Sequence, residues 1–290
     1  MVQPLNRSLQ AALFPLLALL AGALSGQAQQ YPRFSGGQCR EGRLNAEDSR
    51  HCDPHDQQSS RPDTSVRPQI LAVTRSDFVS FTTLAAPKQA RKAYERAGHE
   101  LDNRRPDFAK AARYLEQAVS LYPRFAEAWR LLGETRFAAN EIQLAADAFR
   151  AALAADPKYP DPYVLLAEME LRLARIDLNS KRVLEAARLA EQVLKMNPQL
   201  SMAHYHRAFA NLALGNRNKS EQSIRAIIDD GEDGLYPMVH AMLAELRACK
   251  GDARSAVAEY RRFLELEPSS PAADEVRARL AEWQATGRIR

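Results

Sequence analysis

The sequence predicts an all-α chain, a solenoid of about five stacked helix hairpins closed by a C-terminal capping helix. Three observations predict it. A pattern of small and apolar residues recurs between residues 92 and 270, for instance from Trp129 to Tyr163, 34 positions on. Within each copy the apolar residues stand three and four apart, which lines them along one face of a helix. Prolines close most copies, and a proline lacks the amide hydrogen that a continuing helix needs.

Residues 1–28 read as a signal peptide. "MVQPLNRSLQ" carries one Arg and no acid, and "AALFPLLALLAGAL" is an apolar run too short to span a bilayer. Ala23 with Ser25, or Gly26 with Ala28, can flank a cleavage point, and the cut is expected after Ala28. An uncleaved anchor is the alternative. Residues 29–68 are polar and low in complexity, and such a segment is expected to be disordered, having too little apolar surface to offset chain entropy. Cys39 and Cys52 lie within it and can pair as a disulfide in an oxidising compartment. His51 and His55 stand beside them, but the spacing fits no standard zinc finger, and no metal or cofactor is expected. Residues 69–91 contain "ILAVTRSDFVSFTTL" (Ile70 to Leu84), whose β-branched and aromatic residues suggest one or two short strands and a linker.

The array spans 92–270, with copies near 92–125, 126–159, 160–200, 201–236 and 237–270. The second is the clearest: Trp129, Leu132, Gly133, Ala145, Phe149, Ala152 and Pro157, at offsets 0, 3, 4, 16, 20, 23 and 28. Gly133, Ala145 and Ala152 mark places where helix axes come close, and Leu132 and Phe149 fill the space beside them. The first copy keeps Ala111, Leu115, Ala118 and Pro123, but its first half fits only with a longer hairpin loop. The third reads Tyr163, Leu166, Ala167, Ala186, Ala190, Val193 and Pro198, its second half seven residues late. That insertion predicts about one extra turn on each helix. The fourth reads His204, Arg207, Ala208, Ser220, Ile224 and Ile227, and ends in "DDGEDG". The fifth reads His240, Leu243, Ala244, Ala256, Tyr260, Phe263 and Pro268. Ser270 and Pro271 then suit the start of a capping helix over 271–290, with Val276, Leu280 and Trp283 as its apolar stripe.

These offsets resemble those of the tetratricopeptide repeat, a helix–turn–helix unit of 34 residues. The resemblance covers about two thirds of the chain. It implies a right-handed superhelix that binds proteins or peptides rather than performing chemistry. The lysines and asparagine with which one branch of the family clamps acidic chaperone tails are replaced here by Glu, Val, Phe and Ala, so that ligand is not expected. The approach through "PKQARKAYERAGHEL" is also similar to exported bacterial members of the family.

Charge narrows the partner. From Lys92 onward there are 30 basic and 29 acidic residues, so the array offers no basic stripe for nucleic acid. No second apolar run could cross a bilayer, and the mature chain is expected in the periplasm or beyond, without an integral span. The inner wall should take side chains from offsets −2, +1, +5 and +8. Among them Glu127, Arg130, Glu134, Asp161, Glu168, Tyr205, Phe209 and Glu245 form a candidate groove, acidic with an apolar patch, suited to an extended segment with basic and apolar side chains. The same list also reads as solvated carboxylates and core packing. His204 and His206, two apart, point to different sides of a helix and are poor co-ligands. Cys249 reads as a small buried hydrophobe. No catalytic motif stands in the sequence. The functions that remain are an exported scaffold or adaptor, a metal-binding auxiliary factor using the Cys/His tail, or a regulatory subunit of an exported hydrolytic system. The sequence sets no oligomeric state.

Overall fold

The computed structural model describes residues 80–287. These form twelve helices and no strand. Helix α1 (Phe81–Ala85) is a single short turn. Five hairpins follow: α2 (Lys88–Asp102) with α3 (Phe108–Leu121), α4 (Ala126–Ala138) with α5 (Ile142–Ala155), α6 (Asp161–Asp177) with α7 (Ser180–Met196), α8 (Ser201–Ala213) with α9 (Arg217–Asp229), and α10 (Met238–Cys249) with α11 (Ala253–Leu266). The cap is α12 (Pro271–Ala285). Each helix packs on its hairpin partner, each second helix packs on the first helix of the next hairpin or on the cap, and α8 also touches α6 and α10. The first helices α6, α8 and α10 therefore lie side by side. This is the all-α solenoid that the repeat predicts.

The small residues sit at close crossings. A Cβ built on Gly133 would lie 2.5–2.8 Å from three ring atoms of Phe149, so only glycine admits the ring there. Ala145 and Ala152 are fully buried beside it. Two large apolar clusters share the core, with a small third one of Val164, Val193, Leu194 and Ala203. One joins the first hairpin to α4 through Leu115, Phe125 and Leu132. The other runs from Phe149 through Leu166, Phe209 and Met242 to Trp283.

The first hairpin closes over 103–107, two residues longer than the three-residue loops at 139–141, 214–216 and 250–252. In the third hairpin α6 and α7 are 17 residues each, against 13 and 14 in the second, so the insertion lengthens both helices. Their tip carries Leu178 in a left-handed conformation (φ 52°), and Ile176, Leu178 and Leu184 are exposed there. Ser270 caps α12 by accepting from Ala273 N at 3.2 Å, and Trp283 meets Tyr260 edge-on at 5.7 Å.

Two expectations are corrected. Phe81–Leu84, expected in a strand, are helical: Ser80 Oγ accepts from Thr82 N, and the threonine hydroxyls bond to α4. Side-chain hydrogen bonds to the array outweigh a weak strand propensity. The first array helix also starts at Lys88 rather than 92, directly after Pro87, so it takes in residues expected to be linker. The expected signal peptide, the low-complexity tail with Cys39 and Cys52, and Ile70–Val79 lie outside the described residues. Among the described residues no helix is long and apolar enough to cross a membrane.

Candidate functional site

The first residue of each repeat pattern has a repeated task. Trp129 Nε1 donates to Pro123 O at 2.8 Å, Tyr163 Oη to Pro157 O at 3.1 Å, and His204 Nε2 to Pro198 O at 2.8 Å. A polar aromatic on the first helix of the second, third and fourth hairpins thus ties down the proline turn before it. At the fifth hairpin no proline stands six residues back. His240 instead bonds Glu259 through Nδ1 at 2.8 Å and Asp233 through Nε2 at 3.2 Å. Burial alone would lower its pKa, but the two carboxylates outweigh that and raise it. Asp233 comes from the acidic turn, which therefore fastens α10 to α11 and also reaches Arg262 at 3.5 Å.

The glutamates offered by the sequence are engaged within the protein. Glu134 is 4 % exposed and pairs with Arg130 one turn earlier. Burial alone would lower the Arg130 pKa, yet Glu134 raises it. Glu245 accepts from Tyr260 Oη and pairs with Arg279 of the cap at 2.8 Å. Glu168 pairs with Arg172 at 2.6 Å and His206 at 2.9 Å. Burial pushes its carboxyl up, but Arg172 and His206 together hold it down at about 2. These carboxylates are neither solvated nor open to a ligand's charge. Glu134 and Glu168 each pair with an arginine one turn away on the same helix, Glu168 also reaches His206 of α8, and Glu245 reaches Arg279 of the cap.

Glu127 accepts from Thr83 Oγ1 at 2.6 Å, so the chain's own α1 covers it. Asp161 stands half-buried in the first turn of α6. Phe209, 1 % exposed, belongs to the core and not to the wall. Tyr205, 8 % exposed, is also part of the core, its ring 5.3 Å from that of Tyr236 and tilted by 30°. Arg172 lies over Phe137 at 4.8 Å. Cys249 is exposed, correcting the buried reading.

Three residues in the fold's irregular positions escaped the sequence reading. Tyr236 lies four positions before His240, outside the sampled offsets. Arg172 lies nine after Tyr163, one beyond the last sampled offset. Glu267 directly precedes Pro268, a position repeated as Tyr122, Asp156 and Asn197 before Pro123, Pro157 and Pro198. Proline pushes its predecessor out of the helical region, and all four share an extended φ between −135° and −145°. The proline was legible, and it also marked a residue turned off the helix. Among the described residues no group of three His, Cys, Asp or Glu could hold a metal.

Residues 94–160 match the family model described as tetratricopeptide repeat. No curated protein sequence matches the chain. Among solved structures, it is similar to MamA residues 41–end from Desulfovibrio magneticus RS-1, with a TM-score of 0.53 and 20 % identity over 63 % of this chain and 98 % of that one. It is also similar to YrrB, described as a TPR protein with an unusual peptide-binding site, with a TM-score of 0.54 and 15 % identity over 65 % of this chain and 92 % of that one. At these identities the likeness is one of fold.

Proposed function

We propose that this chain, a tetratricopeptide repeat protein, is a non-catalytic interaction module that binds an extended segment of a partner protein along the layer of its first helices. The observation that carries this reading is the row of first helices, in which α8 touches both α6 and α10, Arg172 lies over Phe137 at 4.8 Å, Tyr205 lies 5.3 Å from Tyr236, and Met202 is half-buried in the first turn of α8. An extended peptide on such a wall offers its side chains to a row of shallow sites. The peptide-binding site named for YrrB is in keeping with this use of the fold. Incorporating a photo-crosslinking amino acid at Met202, and separately at Arg188 on an outer helix, tests it. The expected result is one partner segment captured at Met202 and absent at Arg188. Equal capture at both positions counts against the groove.

The apolar run after Arg7 supports a second element of the proposal, that the protein works outside the cytoplasm. Amino-terminal sequencing of the cellular protein is expected to begin at Gln29. A chain that starts at Met1 and stays with the cytosol counts against export.

A further inference from the structure

We propose that α1 and the first turns of α2 form a docking surface for an anionic lipid membrane, with Phe81 and Leu84 entering the headgroup layer and Lys88, Arg91 and Lys92 meeting its phosphates. This surface is separate from the peptide groove, and neither depends on the other.

Helix α1 is the reverse of a helix packed on protein. Its polar residues are turned in. Ser80 and Thr82 are buried, Ser80 Oγ donates to Asp156 at 2.7 Å, Thr82 Oγ1 accepts from Ala126 N at 3.2 Å, and Thr83 Oγ1 donates to Glu127 at 2.6 Å. Its large apolar residues are turned out, Phe81 60 % and Leu84 83 % exposed. Three positions apart on a helix, these two share a face. The hydroxyl bonds on the other side hold that face toward water, where neither side chain gains anything.

The charge lies directly beyond it. Only Ala86 and Pro87 separate α1 from α2, so the Cα atoms of Leu84 and Lys88 are within about 14 Å whatever path the chain takes. Lys88, Arg91 and Lys92 stand three and four apart on an exposed face of α2, opposite the buried Ala90, Ala93 and Ala97. None of the three has an ion-pair partner among the described residues, and the first turn of α2 holds no acid. Glu95 is exposed in the next turn, beside Arg96, whose guanidinium lies over Tyr114 at 6.0 Å. Elsewhere lysines are matched across helices, Lys219 by Glu191 at 2.9 Å and Lys250 by Glu221 at 2.6 Å. The imbalance extends to the whole first hairpin. Residues 88–121 hold eight basic and five acidic residues, whereas residues 122–290 hold 24 of each. The positive excess of the array therefore sits at the end where α1 exposes its apolar pair.

A membrane containing acidic lipid answers both features together. Lysine and arginine gain from its negative surface potential, and Phe and Leu gain from entering the boundary between headgroups and acyl chains. A nucleic acid would meet the cations and leave Leu84 in water. A purely apolar groove on another protein would do the opposite.

The test uses the whole chain, so that its amino-terminal apolar run is common to every variant. Leu84→Trp is mixed with vesicles whose acyl chains are brominated, made of phosphatidylcholine alone or with phosphatidylglycerol. Quenching beyond that of Trp129 and Trp283 in the wild-type chain reports contact at position 84. It should appear on the acidic vesicles, stay near background on the neutral ones, and fade at high salt. Adding Lys88→Gln, Arg91→Gln and Lys92→Gln should abolish it, since each charge is worth roughly fivefold in binding to such a surface. Adding Lys181→Gln, Lys195→Gln and Arg217→Gln instead removes as much charge from exposed places elsewhere and should leave it in place. None of these residues is ion-paired among the described residues, so the thermal midpoint should hold in both triple variants. Quenching lost only with the α2 cations supports the surface. No quenching at position 84, quenching that survives loss of the α2 cations, or equal loss in both triples overturns it. So does binding to a DNA oligonucleotide or to polyglutamate that acidic vesicles fail to compete away.

Discussion

Gly133 shows how one residue sets a crossing. Phe149 fills the space where its side chain would be, and a methyl group there would sit inside van der Waals contact with the ring. Gly133→Ala should destabilise the protein by about 1–3 kcal/mol through overpacking, despite the better helix propensity of alanine. The check is urea unfolding. Phe149→Leu in the same chain should recover part of the loss, because the two sites share one volume. His240 makes a residue-scale prediction of another kind. Its folded pKa is raised, so its contribution to stability is complete below the ordinary histidine value of about 6.5 and fades as the pH climbs through the raised one. Glu168 acts in the opposite sense. Its lowered carboxyl stabilises above the ordinary value of about 4.3 and loses that effect as the pH falls toward 2. His240→Gln should therefore lower the urea midpoint more at pH 5.5 than at pH 8.5. A deficit that does not vary with pH would mean that the carboxylates around His240 do not hold its proton.

At the scale of elements, α1 and the third hairpin depart furthest from the repeat. Phe125, at the N-cap of α4, offers no side-chain acceptor, and Thr82 Oγ1 accepts from Ala126 N at 3.2 Å in its place. Helix α1 thus supplies a cap from outside the hairpin. Thr82→Val should cost about 1 kcal/mol in denaturant unfolding, as loss of a cap does. Leu178 pays no visible return for its left-handed backbone, since its side chain is 66 % exposed. Leu178→Asn should raise stability by about 0.5–1 kcal/mol, since asparagine visits that conformation more readily. A loss of stability in that variant would point to a contact made by the leucine. The insertion of seven residues was readable because it delays Ala186 while leaving the pattern intact. The conformation of its tip was not, because leucine gives no signal for a positive φ. Helix α1 was misread for a related reason: its threonines match a strand by type, while their hydroxyl partners, Ala126 and Glu127, stand 44 positions away.

For the whole molecule, the offsets gave the hairpins, because each offset answers to a contact within one repeat or with the next. The site was less legible. Offsets place a residue on a helix face, but whether Glu134 meets water or Arg130 depends on rotamers and on the neighbouring helix. Charge counts cannot separate a paired carboxylate from an unpaired one, and Glu134, Glu168 and Glu245 are all paired within the array. The same one-dimensional logic governs stability. Each hairpin buries its apolar stripe against the next, and the last relies on α12, which covers Tyr260 and Phe263 with Ala272, Val276 and Trp283. Arg279 of α12 also neutralises the buried Glu245. Arg279→Met should therefore leave Glu245 desolvated beside Tyr260 and loosen the C-terminal end, while the first hairpin, in a separate apolar cluster, keeps its stability. Hydrogen exchange should show protection falling first in α10 to α12 and last in α3 to α5. A uniform fall across all five hairpins would mean that the array unfolds as one unit and that its cap serves the whole chain rather than its end.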